Sequence, residues 1–211
     1  MTEIKAEATG LWDEVQDAYR TYITHTFTIQ LPTESRAANW KVRGERSAKI
    51  FFGMAFVPVV LFRVRNRLLK RHIPLLPYLC DLISTAIWHV TIGRIVDAGP
   101  GLLLPHGHVV IDGVVKLGRN CVINPWVTVG LSNSRRVGFS LQGPTIGDGV
   151  SIGTGAKVLG PITVGEGARI GANAVVVRDV PAGATVVGMP ARVVHGAPPD
   201  WKVPGDDSEE R

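Results

Sequence analysis

The sequence predicts a mainly β chain in which an α-helical N-terminal region precedes a parallel β-solenoid. Three observations support this fold class. An aliphatic residue recurs every six residues through the middle of the chain, which suits neither the period of a helix nor the alternation of a single strand. Helical spacing is confined to the first ninety residues. With 45% hydrophobic and 19% charged residues, the composition is that of a globular protein without extensive disorder.

The N-terminal region, residues 1–91, carries the helical patterns. The stretches "LWDEVQDAYRTYI" and "FRVRNRLLKRH" have the spacing of helices, and "IPLLPYLCDLISTAIWHV" begins another helix after its prolines. These patterns predict an α-helical N-terminal domain over residues 1–91.

A strongly basic segment adjoins the most apolar run of this region. Between Arg36 and His72, ten Lys or Arg residues stand against one acid, Glu45. The apolar run over residues 50–62 is too short to span a bilayer. We favour a helical region that packs its apolar face and solvates its charges. Contact of residues 50–72 with an anionic membrane surface is the alternative, and nucleic acid is not expected because no binding motif accompanies the charge.

The six-residue frame covers thirteen positions. It holds at Ile92, Ala98 and Leu104, slips by one residue, resumes at Ile111, Leu117, Ile123 and Val129, and returns after an interruption at Ile146, Ile152, Val158, Val164, Ile170 and Val176. If each unit is a short strand plus a corner, three units close one triangular coil. Coils stacked on one another then bury a continuous aliphatic column that no single coil could bury. Gly, Asn and Asp after the aliphatic residue suit corners with positive φ.

The first residues of the chain and its two cysteines indicate the cellular compartment in which the protein is expected. The start, "MTEIKAEATGLWDEV", has no apolar core of the signal-peptide type, and Cys80 and Cys121 form neither a disulfide framework nor a metal spacing. A cytoplasmic protein with reduced thiols is expected. Residues 195–211 are rich in proline and then acidic, which predicts a flexible tail.

Residues 92–194 resemble a known family. The units "PTIGDGVSIGTGAKVLGPITVGEGARIGANAVV" and the ending "VVVRDVPAGATVVGMPARVV" are similar to the left-handed parallel β-helix of hexapeptide-repeat acyltransferases. Together with "GPGLLLPHGHVVIDG" and the preceding helical domain, they most resemble the serine O-acetyltransferase branch. The resemblance implies a homotrimer that transfers an acetyl group from acetyl-CoA to a hydroxyl of a small molecule or sugar, without a metal.

Two histidines lie where the frame slips. His106 matches by its position the general base of the resembling branch, and a base with a pKa near neutrality suits that role. His108 would orient the substrate or support His106, or else be a solvated corner residue. The branch carries an acidic residue before the base and Arg-His-Pro before the "TIGD" unit, whereas this chain has Pro105 and "QGP" over 142–144. The acceptor therefore stays open between serine, a glycan and another small molecule.

The resemblance also implies where acetyl-CoA and the acceptor would bind. The interruption over residues 131–145 predicts a loop that reaches over the cleft of a neighbouring subunit. In it Arg135 and Arg136 could pair with phosphates, and Trp126 could form a wall of the cleft. By alignment, the residues expected along the coenzyme are Gly153, Thr154, Gly155, Ala156, Lys157, Arg169, Gly171, Ala172 and Arg178.

Two other functions are compatible with a β-helix of this kind. A non-catalytic β-helical scaffold that kept the fold and lost the active residues is the alternative. A β-helical carbonic anhydrase is set aside, because only His106 and His108 lie inside the coils and two histidines do not make a zinc site.

Overall fold

A computed structural model of the chain describes residues 56–131 and 142–196. Two helices come first, α1 (Phe56–Lys70) and α2 (Leu76–Trp88). Fourteen short strands follow in the described part: β1 (Val90–Ile92), β2 (Asp97–Ala98), β3 (Val109–Ile111), β4 (Val114–Leu117), β5 (Val122–Ile123), β6 (Thr128–Gly130), β7 (Gln142–Ile146), β8 (Ser151–Ile152), β9 (Lys157–Leu159), β10 (Thr163–Val164), β11 (Arg169–Ile170), β12 (Val175–Val176), β13 (Thr185–Gly188) and β14 (Ala191–His195).

The strands form three sheets that are the sides of one triangular coil. The first sheet has the order β1-β3-β6-β9-β12, the second has β10-β7-β4-β2, and the third has β14-β13-β11-β8-β5. Pairing is parallel throughout except between β13 and β14. From β3 to β12, consecutive strands of the chain belong to the first, second and third sheets in turn, so each turn of the coil adds one strand to each side. The predicted parallel solenoid is confirmed.

The aliphatic frame forms the core of the coils. All thirteen frame positions are buried, and so are most of the described residues four places after them, such as Val115, Val127, Ala156 and Ala174. Each frame residue stacks on its counterpart in the next coil, as Ile111 does on Val129 through the pairing of β3 with β6. The core is therefore a column of aliphatic layers, and its stability comes from contacts between neighbouring coils.

Both irregularities of the frame are visible in the strand register. Ile92 pairs with Ile111, nineteen residues later, whereas Ile111 pairs with Val129, eighteen residues later. The extra residue lies in the bend between Leu104 and Val109. Leu117 pairs with Ile146, so after the interruption the chain resumes in the expected layer at β7.

The two helices close the N-terminal end of the coils. Peptide groups on that side of the first coil have no strand to pair with, and an unpaired sheet edge is costly when covered. The guanidinium of Arg65, on α1, donates to the carbonyl oxygens of Ile92 at 2.5 Å and Gly93 at 3.1 Å. That of Arg63 donates to the carbonyl oxygens of Ala98 and Gly99. Part of the basic segment therefore satisfies the backbone of the β-helix.

Helix α2 ends at the first coil and leaves an apolar face exposed. Its last turn is capped by His89, in the left-handed conformation, whose N–H donates to the carbonyl oxygen of Thr85 at 3.1 Å. The exposed side chains of this face and the turn before it are Ile73, Leu75, Leu76, Tyr78, Leu79, Leu82 and Ile87. Neither described helix has the length and apolar character needed to cross a bilayer.

Candidate active site

One edge of the β-helix carries the sequence-predicted histidines. This histidine edge is the corner between the third and the first sheet, and it runs through five successive layers. Its corner residues are His89, His108, Trp126, Gly155 and Asn173, all with positive φ. Backbone hydrogen bonds hold them in register, for example from the N–H of Trp126 to the carbonyl oxygen of His108 at 2.7 Å. Left-handed backbone at three bulky residues stores strain of about 1–3 kcal/mol each, and such strain clusters at functional sites.

The frame slip creates the bend that presents His106. Gly107 is buried at the centre of the bend, and a Cβ atom there would overlap the carbonyl oxygen of Trp88, the last residue of α2. The same carbonyl accepts the N–H of His108 at 3.0 Å. Glycine is therefore required for the bend to pack against the helix end, and the flanking His106 and His108 remain exposed.

Three rings stack along the upper part of the histidine edge. The imidazoles of His89 and His108 are 4.7 Å apart between centroids and almost parallel, at 3°. The His108 ring lies 4.1 Å from that of Trp126, tilted by 32°. Such aromatic contacts contribute about 0.5–1.5 kcal/mol each beyond area burial. His108 is thus fixed between two rings rather than free in solvent.

His89 is a residue of this edge that was not predicted, although the sequence carries a signal for it. "HVTI" at 89–92 and "HVVI" at 108–111 are the same unit nineteen residues apart, which is the spacing of the first two coils. Extending the repeat frame upstream of Ile92 would have placed His89 directly above His108.

The predicted coenzyme residues fall into two groups. Gly153 and Thr154 lie at the histidine edge one layer below Trp126, and Gly171 and Ala172 lie one layer further. Ala156 is fully buried with its side chain in the core, so it could offer only backbone atoms to a ligand. The structure therefore brings the small predicted residues together below the histidines.

The basic residues predicted for the coenzyme are more dispersed. The ammonium of Lys157 donates to the carbonyl oxygen of Trp126 at 2.6 Å, which ties it to the histidine edge. Arg169 lies exposed on β11, in the third sheet, whereas Arg178 follows β12 at the far side of the first sheet. Arg135 and Arg136 lie outside the described residues.

The departures from the resembling branch also have structural correlates. Gly143, in place of the histidine of that branch, is buried in β7, and a Cβ atom there would lie 2.6 Å from Cγ2 of Val115. A larger residue would require Val115 to move. Pro105 is half-buried before the bend and offers no carboxylate. His106 consequently lacks both predicted partners of the branch.

The two cysteines lie away from the histidine edge. Burial raises the pKa of Cys121 to about 11, and its thiol donates to the carbonyl oxygen of Gly147 at 3.3 Å. A buried neutral thiol is a poor nucleophile. Cys80 is unpaired as well, and its pKa is also raised, chiefly by burial. Over 56–131 and 142–196, no three His, Cys, Asp or Glu side chains are grouped to hold a metal ion.

Comparison with known proteins adds independent evidence. A family model described as "Bacterial transferase hexapeptide (six repeats)" matches residues 143–178. The serine acetyltransferase of Synechococcus elongatus is 38% identical over 141 residues, which cover 66% of this chain and 57% of that protein. The serine acetyltransferase of Synechocystis is 37% identical over 170 residues, 80% of this chain and 65% of that protein.

A solved structure extends the similarity to most of the chain. The crystal structure of Neisseria gonorrhoeae serine acetyltransferase in complex with serine is 30% identical with a TM-score of 0.67, covering 86% of this chain and 68% of that one. The left-handed parallel β-helix is thereby confirmed. The chain spans between 57% and 65% of the length of the two curated relatives.

Proposed function

Because the chain belongs to the hexapeptide-repeat acyltransferase superfamily, in its serine acetyltransferase-like branch, we propose that it transfers an acetyl group from acetyl-CoA to a hydroxyl of an acceptor. The observation that carries the proposal is the bend at the frame slip. It holds an exposed histidine at one end of an edge whose lower layers are lined by small residues. A base and an adjoining channel for an extended thioester are what acetyl transfer needs.

His106 takes the part of general base in this reaction. Its imidazole accepts the proton of the acceptor hydroxyl while the oxygen attacks the thioester carbonyl carbon. The C–S bond then breaks, and the proton passes to the leaving CoA thiolate, so the base is regenerated. Such proton transfer contributes about 10²–10⁴-fold to the rate. Backbone N–H groups near the corner would stabilise the oxyanion that forms on the carbonyl oxygen.

Acetyl-CoA would lie along the lower histidine edge. Gly153, Thr154, Gly171 and Ala172 present little side-chain bulk there, which lets an extended arm approach the backbone. Lys157 adjoins the same layers through its bond to the Trp126 carbonyl oxygen and offers a cation for the phosphates. Arg169, Arg178, Arg135 and Arg136 remain candidates for the phosphates.

A coupled assay of free thiol release tests the proposal. Purified full-length protein is incubated with acetyl-CoA and a panel of hydroxyl acceptors, and acetylated product is identified by mass spectrometry. Acceptor-dependent CoA release with a product of matching mass is expected. The alternative of a non-catalytic scaffold is favoured by Gly143 and Pro105, which replace two partners of the base. That alternative predicts neither acetyl-CoA binding nor release with any acceptor.

A homotrimer is the expected assembly. One exposed base on a convex edge does not make a cleft, and a neighbouring β-helix would supply the opposite wall. Apolar side chains such as Val110 and Val114 also point outward from the strands, as expected of surfaces covered by another subunit. Light scattering should give three times the 22.7 kDa of one chain. A fully active monomer would contradict an interfacial site.

A contact with an anionic membrane surface is a further part of the proposal, at the C-terminal end of the segment 50–72 that the sequence suggested. Arg63 and Arg65 cap the first coil, which leaves Lys70, Arg71 and His72 exposed beside the apolar face of α2. An apolar helix face with adjacent cations suits an anionic membrane surface.

Vesicle flotation tests this contact. The protein is expected to float with phosphatidylglycerol vesicles at low salt, to be released as salt screens the attraction, and to ignore phosphatidylcholine vesicles. Exchange of Lys70 and Arg71 for Glu should abolish flotation, whereas Lys116→Glu, an exposed change on β4, should not. Absence of binding at low salt would assign the α2 face to protein packing. The cytoplasmic location remains a prediction.

A further inference from the structure

We infer that the acceptor is a carbohydrate, bound with a C–H face of its ring against the face of the Trp126 indole that His108 leaves uncovered; this inference rests on the proposed acetyl transfer. It concerns the upper part of the histidine edge, which the coenzyme residues do not occupy. The inference names the acceptor class that the resemblance leaves open.

The ring stack lies within reach of the base. His106 and His108 are two residues apart, so their α-carbons are separated by at most about 7 Å. Trp126 follows one layer below, and its side chain is 58% exposed although its backbone is held at φ 65°. A large apolar ring displayed in a strained conformation next to a base is suited to contact with a ligand.

The layer below Trp126 carries little side-chain bulk. The next corner residue of the histidine edge is Gly155, which has no side chain, and the side-chain oxygen of Asn173, one layer further, would lie 2.1 Å from a Cβ atom at that position. His108 covers the upper side of the indole, and His108 in turn is covered by His89. The exposed part of the stack is therefore a rigid aromatic wall whose rings cannot turn away without losing their contacts.

The chemistry of the wall favours a neutral polyhydroxylated ring. Pyranose C–H bonds carry partial positive charge and pack on the negative faces of aromatic rings, while the hydroxyls at the ring periphery keep their hydrogen bonds. A free amino acid would need a carboxylate partner for its ammonium group. None of the described residues that form the edge in its first three layers, 88–89, 105–108 and 124–126, is acidic. Pro105 and Gly143 remove the polar groups that the resembling branch has at their positions.

The adenine of acetyl-CoA also stacks on aromatic rings, but it belongs elsewhere. The pantetheine arm separates the adenine from the thioester. When the thioester carbonyl lies beside His106, the adenine is separated from the base by the full length of the pantetheine arm. An aromatic ring beside the base therefore contacts the acceptor. The two occupants make different predictions for Trp126 variants.

The test combines direct binding with kinetics on the full chain. Saturation-transfer difference NMR is recorded with methyl glycosides of glucose, galactose and N-acetylglucosamine, with L-serine, and with glycerol as a hydroxyl compound that lacks a ring. At least one glycoside is expected to bind, and glycerol is not. The same compounds then serve as acceptors in the thiol-release assay.

Three variants test whether the ring of Trp126, and not another part of the protein, binds the glycoside. Trp126→Ala should raise the KM and the Kd for the bound glycoside by about tenfold and leave the KM for acetyl-CoA within about twofold. Trp126→Phe keeps a ring and should retain most of the affinity. Tyr78→Ala removes an aromatic ring of equal exposure, 58%, on α2 and should change nothing.

The outcomes distinguish this inference from the proposed function. Glycosides that bind through Trp126 without any acetyl transfer would overturn the proposed function and leave Trp126 as a carbohydrate-binding site only. Acetyl transfer to L-serine, with no glycoside bound or acetylated, would keep the proposed function and overturn the inference. A Trp126→Ala variant that raises the KM for acetyl-CoA instead of that for the glycoside would assign the wall to the adenine and overturn the inference.

Discussion

Alanine in place of His106 is expected to lower kcat for acetyl transfer by about two to four orders of magnitude, because the acceptor hydroxyl then loses its proton acceptor. The Kd for acetyl-CoA should stay within about twofold, since the small residues of the lower histidine edge are untouched. Steady-state thiol release on the true acceptor and calorimetric titration with CoA measure the two quantities. The side chain is exposed, so the fold should not be affected.

Two neighbouring histidines are the matched controls for this variant. His108→Ala and His89→Ala each remove an imidazole from the same edge and disturb the ring stack. If His106 is the base, both should mainly raise the KM for the acceptor and lower kcat by about tenfold at most. A His106→Ala enzyme that keeps wild-type kcat would refute the assignment. A loss of several orders of magnitude in His108→Ala alone would transfer the role to His108.

The repeat region could be predicted because each six-residue unit of the sequence determines its own backbone geometry. A period of six fixes the strand, the corner and the inward residue of each unit, and both irregularities, the slip after Leu104 and the excursion after Val129, appear as breaks in one frame. The core, the three sheets and the exposed position of His106 follow from that frame. No pairing between distant segments has to be guessed, since every strand pairs with the next coil.

The N-terminal region was not predictable to the same degree. Its basic residues predicted a solvated helix face, with membrane contact as the alternative. Their contacts with the β-helix could not be predicted, because the carbonyl oxygens that Arg63 and Arg65 contact belong to residues about thirty positions later. The stack of His89 on His108 is likewise a contact between a helix end and a coil. Such contacts depend on how α2 meets the first layer, which the helical pattern alone does not specify.

Replacement of Arg65 by methionine is expected to have the largest effect on stability of any single change on α1. Arg65 is 1% exposed, and its guanidinium donates to Asp81 at 2.8 Å and to the carbonyl oxygens of Ile92 and Gly93. Methionine fills a similar volume but leaves the two carbonyl groups without their donor, whereas Asp81 is 37% exposed and keeps Arg94 at 3.9 Å. Leaving a buried acceptor unsatisfied costs about 1–3 kcal/mol, so the free energy of unfolding should fall by about 3 kcal/mol.

Urea unfolding followed by circular dichroism, at one protein concentration, measures this loss. Lys70→Met is the matched control, because it removes a cation from the exposed end of the same helix and should change stability by less than about 0.5 kcal/mol. The double variant Arg65→Met/Asp81→Asn should lose less stability than the sum of the two single changes, since both changes remove the same ion pair. If Arg65→Met unfolds at the same urea concentration as Lys70→Met, the guanidinium does not stabilise the first coil, and the basic residues of α1 would have to be explained by a partner outside the chain. A large loss of stability in Arg65→Met alone would instead mean that the β-helix depends on α1 to complete its first layer. The histidine edge begins where α2 meets that layer, so it would lose its order when the Arg65 contacts are removed.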